Sequence, residues 1–214
     1  MFGDVDEATL EVTSSGGPLA PWRLERDGAA LVVEDERDGW LGGDLGLGGR
    51  GWGWGDWERR SAQQQAVLTL PASLERSQPA LAAEVRAGSL DVDGAWGDVA
   101  LDLHGGQLDI AGSAASLDLA VAAGEARLDL EVAGAVVVDV SAGRTTGALV
   151  GAQPASIRAS ASAGSIELDV PDGDYAVTED VSAGSARILV DEDPAAASTI
   201  DVEASAGSVV LRGR

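Results

Sequence analysis

The chain reads as an all-β protein: a β-solenoid or β-helix-like stack of about seven two-strand repeats, preceded by N-terminal strands and a Gly/Trp-rich loop. Three observations predict this. A small residue followed by Gly recurs at Gly88, Gly106, Gly124, Gly143, Gly164, Gly184 and Gly207, at spacings of 18, 18, 19, 21, 20 and 23. Such a period is the signature of stacked repeats. Apolar residues alternate with polar ones on both sides of each glycine, which is the two-residue period of a strand with one face buried. Aromatic residues make up only 4% of the chain, so the core must be built from small aliphatic side chains and be narrow. One β-repeat domain is expected over 1–214, with N-terminal strands and a hairpin in 1–38, the loop in 39–62 and the stack in 63–212.

In chain order, residues 8–13 read as a strand. Residues 22–26 and 29–34 read as two strands joined at Asp27-Gly28, a hairpin signal. Residues 39–60 hold four Trp and nine Gly. Gly this dense opposes helix and strand alike, so a loop is expected. Residues 65–70 return to strand, ended by Pro71. No segment shows convincing helical periodicity.

Within the repeats, positions 7, 5 and 3 before each marker glycine form the inward set. They run from Leu81, Ala83 and Val85 to Ile200, Val202 and Ala204, and 20 of the 21 are apolar. The exception is Glu179. Positions 2 and 4 after the glycine continue the pattern, except at Thr145 and Gly147 in the fourth unit. Corners between units are expected at Gly94, Gly112, Gly134, Gly151, Pro171-Asp172-Gly173 and Asp191–Pro194. One unit buries too little to stand alone, so stability is shared between neighbours. A parallel solenoid and a row of stacked hairpins both satisfy the pattern. The last strand, residues 208–212, has no visible polar cap after it. It is protected by N-terminal strands or flanking charge, or it is a contact edge.

The net charge is −22, from 36 acidic and 14 basic residues, and every basic residue is Arg. This excess opposes binding to nucleic acid or an anionic membrane surface. There is no Cys, so disulfides and thiolate metal sites are excluded. No apolar run reaches the length of a membrane-crossing helix. The start lacks the basic and apolar regions of a signal peptide, which on its own predicts a cytoplasmic protein.

Among candidate sites, the single His, His104, falls at a corner where other units carry Arg86, Ala122, Ser141, Ser162, Ser182 and Ser205; it reads as an exposed turn residue. Glu179 in the inward column is either a buried carboxylate of functional interest or a residue turned outward by a bulge. The acidic corners Asp91–Gly94, Asp172–Asp174 and Asp191–Asp193 match turn chemistry better than a calcium loop. No catalytic, cofactor-binding or metal-ligating set is assigned. The partner-contact candidates are Trp40, Trp52, Trp54 and Trp57 with Arg50, Arg59 and Arg60. Exposed Trp serves as an anchor for a protein partner or a membrane interface; alternatively the loop folds back over one end of the stack.

The Ser-Ala-Gly-Ser phrases at 162–165, 182–185 and 205–208, the run Gly94-Ala-Trp-Gly-Asp-Val-Ala-Leu-Asp-Leu and the stretch Leu68–Leu74 resemble the toastrack family, the adhesin-like β-strand-repeat proteins of bacteria. The likeness spans about residues 60–212. It implies a right-handed β-helix-like stack, association with the cell envelope and a non-enzymatic interaction or sensing role. This chain differs in having no membrane segment and in carrying the Trp-rich loop.

The function expected is therefore a non-enzymatic binding or scaffold module connected with the envelope, directly or through a membrane partner, with a protein partner or self-association and no cofactor. A self-polymerising scaffold similar to bactofilins is the structural alternative. The enzymatic alternatives are a hexapeptide-repeat acyltransferase, which wants apolar residues every six positions rather than two, and a solenoid polysaccharide lyase, which uses Ca²⁺ with basic residues.

Overall fold

Alternation in the repeats becomes strand throughout. The computed structural model describes residues 1–15, 22–27, 30–35 and 63–214. They divide into two compact units, one of Met1 with Gly3–Pro71 and one of Phe2 with Ala72–Arg214.

β1 (Phe2–Gly3), β5 (Gln63–Pro71) and β2 (Thr9–Ser15) form a three-stranded sheet in that order, all of it in the first unit except Phe2. β2 and β5 are antiparallel, with Thr9 opposite Thr69 and Ser15 opposite Gln63. β3 (Trp22–Asp27) and β4 (Ala30–Asp35) pair as a hairpin. Its register sets Asp27 opposite Ala30, so Asp27 is a strand residue and not part of the link, while Gly28 lies outside the described residues.

The second unit opens with a turn of helix that the sequence did not signal, α1 (Ala72–Glu75). Its residues are good helix formers. Ser77 closes it: its amide and its hydroxyl both donate to the Leu74 carbonyl, at 2.9 and 2.7 Å. Gln78 then takes a φ of +46°, and the chain enters the stack.

The stack is a parallel β-solenoid of about seven levels. Every strand pair in it is parallel, which decides between a solenoid and stacked hairpins. Each level has one strand segment before its marker glycine and one after. The first three levels are β6 (Leu81–Val85), β7 (Ser89–Leu103), β8 (Gln107–Val121) and β9 (Glu125–Val132). β7 and β8 are 15 residues long because they pass through Gly94 and Gly112 without breaking their pairing. Those two corners are bends, not turns. Level four is β10 (Ala135–Val140) with β11 (Arg144–Val150), and level five is β12 (Ser156–Ala161) with β13 (Ser165–Val170).

Beyond level five the order of levels departs from the order of the sequence. β14 (Asp174–Val181) and β15 (Ser185–Leu189) come next in the chain, then β16 (Asp191–Glu192), β17 (Thr199–Ala204) and β18 (Ser208–Gly213). Yet β17 lies between β12 and β14, and β18 lies between β13 and β15. The chain skips a level after β13, builds the outermost one, and returns to fill the gap with its last repeat. The glycine column records the same order. A Cβ on Gly106 would strike the backbone of Gly88, and the same contact links Gly124 to Gly106, Gly143 to Gly124, Gly164 to Gly143, Gly207 to Gly164 and Gly184 to Gly207. Only a residue without a Cβ permits this backbone approach.

This order corrects two expectations. The last strand is not an edge: Ile200, Val202, Ala204, Val209 and Leu211 are all fully buried. And Glu179 is not turned out by a bulge. It stays in regular register opposite Val202, and it is exposed because its level is the end of the stack.

Aliphatic side chains fill the interior, with Leu103, Leu119, Leu130, Ile166 and Leu168 among the largest that are fully buried. In the irregular fourth unit, Thr145 keeps its inward place at 0% exposure, and its hydroxyl has no hydrogen-bond partner. Gly147, at φ +142°, lies so close to the Leu128 backbone that no side chain fits.

Candidate functional surfaces

With the interior filled, distinctive chemistry falls on the outward rows. Residues at equivalent positions sit above one another at the strand separation of about 4.8 Å. Arginines are set among carboxylates along these rows. Arg127 lies 2.8 Å from Glu125 and 3.5 Å from Asp109. Arg212 lies 2.7 Å from Glu167 and 4.0 Å from Asp169. Arg158 sits between Asp201 at 3.9 Å and Glu203 at 3.8 Å. All are substantially exposed, so each pair adds little stability; together they leave a patterned, predominantly acidic exterior.

His104 is at an exposed corner, as expected. Its Nε2 is 3.3 Å from a Glu84 oxygen that also accepts a hydrogen bond from Arg86 Nε at 3.0 Å. Sharing of Glu84 ties the first two corners together. Of the acidic corners, Asp91–Gly94 is part of strand β7 and not a turn, whereas Asp191–Asp193 ends in one. Asp193 accepts from the Ala195 amide at 2.8 Å, a local side-chain turn. Among the described residues, no group of three or more His, Asp or Glu is arranged to hold a metal ion.

Two shallow depressions mark the outer face after the marker glycines. One, of about 530 Å³, is floored by Thr146, Gly147 and Ala148 and walled by Asp129, Glu167 and Arg212. It exists because the fourth unit has small residues where its neighbours carry long ones. The second, about 330 Å³, adjoins Pro171 and Asp172.

The corner where the chain skips a level is the most highly specified polar site in the stack. Tyr175 is fully buried there and its hydroxyl donates to the Pro171 carbonyl at 2.8 Å. Gln153 donates to the Asp174 carbonyl at 3.2 Å. Burial pushes the phenol above its ordinary value, the nearby Gln153 amide works against that shift, and the Asp172 charge adds to it. Sequence reasoning passed over Tyr175. The usable signal was the single Tyr of the chain standing two residues after Pro171-Asp172-Gly173.

Trp40, Trp52, Trp54, Trp57, Arg50, Arg59 and Arg60 lie outside the described residues. No helix among the described residues is long and apolar enough to cross a membrane. Comparison with protein-family models, with curated proteins and with solved structures finds no match to this chain.

Proposed function

We propose that this chain is a non-enzymatic binding or scaffold module associated with the cell envelope, engaging its partner through outward rows of the stack. The observation that carries this reading is the division of chemistry between inside and outside. The interior is filled with aliphatic and alanine side chains, while Arg127, Arg158 and Arg212, each in a different outward row, pair with carboxylates on the exterior. A parallel stack sets its outward side chains at the strand separation of about 4.8 Å, which offers evenly spaced contacts to an extended partner. The net charge of −22 steers it toward a partner with positive charge. The envelope assignment rests on the resemblance of the Ser-Ala-Gly-Ser repeats. Trp40, Trp52, Trp54 and Trp57 supply apolar anchoring.

The test is co-sedimentation of the purified chain with isolated bacterial envelope fractions. Binding should occur at low salt and weaken at about 1 M, where the screening length falls to about 3 Å. Changing Trp52, Trp54 and Trp57 to Ser should reduce it further. A chain that stays in the supernatant at every ionic strength rejects the reading.

A further inference from the structure

We propose that Glu179 makes the β14–β15 level a closed end, excluding a second copy of this chain from stacking upon it. Glu179 stands in a column whose nearest members are buried and apolar. Leu101, Leu119, Val138, Ala159 and Val202 precede it level by level. Each of those five is at most 2% exposed. Glu179 occupies the next position of the same column and is exposed. Its neighbours Val177, Ala186 and Ile188 are half-buried, and Val181 is 37% exposed. The hydrophobic interior therefore opens at this end, with one carboxylate over it.

A further level stacked here would enclose that carboxylate within an apolar column. No Arg occupies an inward position of this level to neutralise it. Burying an unpaired charge is strongly unfavourable. The same cost explains the order of levels. If β14 followed β12 directly, Glu179 would lie in the buried position that Val202 holds. Placing the last repeat beneath it puts Val202 inside and Glu179 outside.

The rest of this end is blunted in the same sense. β15 has only five residues. β16 lies along Asp174 and Tyr175, covering part of the β14 edge. Short strands, inward charges and covering segments are recognised protections of sheet edges. The excluded occupant is a second copy because its β14–β15 end is the matching surface: the same free backbone edge and the same exposed Val181 and Leu189. Two such ends brought face to face would also bring two Glu179 carboxylates together.

The experiment compares self-association of the full chain with Glu179→Val and Asp180→Val by sedimentation equilibrium over a concentration series. Asp180 is on the same strand but in the outward row, so its loss changes the charge equally without filling the column. Glu179→Val should associate at a concentration lower by on the order of 100-fold or more, and Asp180→Val should follow the wild type. Equal association of Glu179→Val and wild type overturns the proposal. So does equal association of the two variants, since charge alone would then be responsible. The order of levels is checked by Ser160→Cys with Glu203→Cys, positions opposite each other in β12 and β17, in a chain that has no other Cys. If Glu179→Val fails to form that cross-link within one chain, Glu179→Gln decides: association no tighter than wild type overturns the proposal.

Discussion

Tyr175 shows most directly how one residue is held and what holding it requires. Its ring plugs the corner at which the chain skips a level, and its hydroxyl satisfies the Pro171 carbonyl. Removing that hydroxyl in Tyr175→Phe leaves a carbonyl without its donor and should cost about 1 kcal/mol. The phenol is pushed above its ordinary 10.0 chiefly by burial, with Gln153 lowering it and Asp172 raising it. The folded chain thus keeps this proton to higher pH than the unfolded chain does. The contribution of Tyr175 is complete below about pH 10 and is lost as pH rises through the folded-state value. The chain has one Tyr and no Cys, and no Lys, so no other side chain titrates between about pH 9 and 12. Denaturant unfolding across that range should show wild-type stability falling and Tyr175→Phe staying flat. A parallel fall in both would assign the effect elsewhere.

At the scale of elements, β14 and β15 depend on a segment that follows them in sequence. Among the described residues, β15 pairs only with β18, and β14 only with β17 and the two-residue β16. Deleting residues 199–214 should therefore unfold two levels, the deleted one and the one above it. Hydrogen exchange should show amides of Asp174–Leu189 losing protection while β8, β9 and β10 keep theirs. Retained protection over Asp174–Leu189 would mean that β14 packs directly on β12 with Glu179 buried. The same elements show what could be read in advance. Strand positions, inward residues and marker glycines were legible because alternation and Gly are local signals, and Leu101, Val138 and Ile166 are buried as their positions require. The order of levels was not legible. Every repeat is written in the same apolar alternation, so each fits any level; only Glu179 distinguishes the outermost one, and its meaning depends on a neighbour 23 residues further on (Val202). The helix turn at Ala72–Glu75 was too short to show a period. Of the candidate surface, the corner role of His104 was legible from variety at equivalent positions. The Tyr175 corner was not, because its partner Gln153 lies in a different repeat.

Over the whole molecule, like charges outnumber their partners, and the stack sets many of them one level apart. Asp91 faces Asp109, Glu84 faces Asp102, and Asp180 faces Glu203. Like charges directly opposite on paired strands are destabilising. Against them stand the exposed pairs of Arg127, Arg158 and Arg212, each of which contributes only about 0–1 kcal/mol. Salt screens both kinds of interaction, so the balance decides the sign. With 36 acidic residues against 14 basic ones, repulsion exceeds attraction, and screening should stabilise the fold. Raising NaCl from about 0.1 to about 1 M shortens the screening length from about 10 to about 3 Å. Relief of even about 1–2 kcal/mol raises the melting temperature by about 2–8 °C in a chain of this size. Neutralising Asp91 alone, with Asp91→Asn, removes its repulsion from Asp109 and leaves Asp109 to Arg127; it should raise the low-salt melting temperature and shrink the response to salt, since the repulsion being screened is already gone. A melting temperature that falls as NaCl is added would show instead that the arginine pairs outweigh the repulsion, and that the rows are held together by their charges.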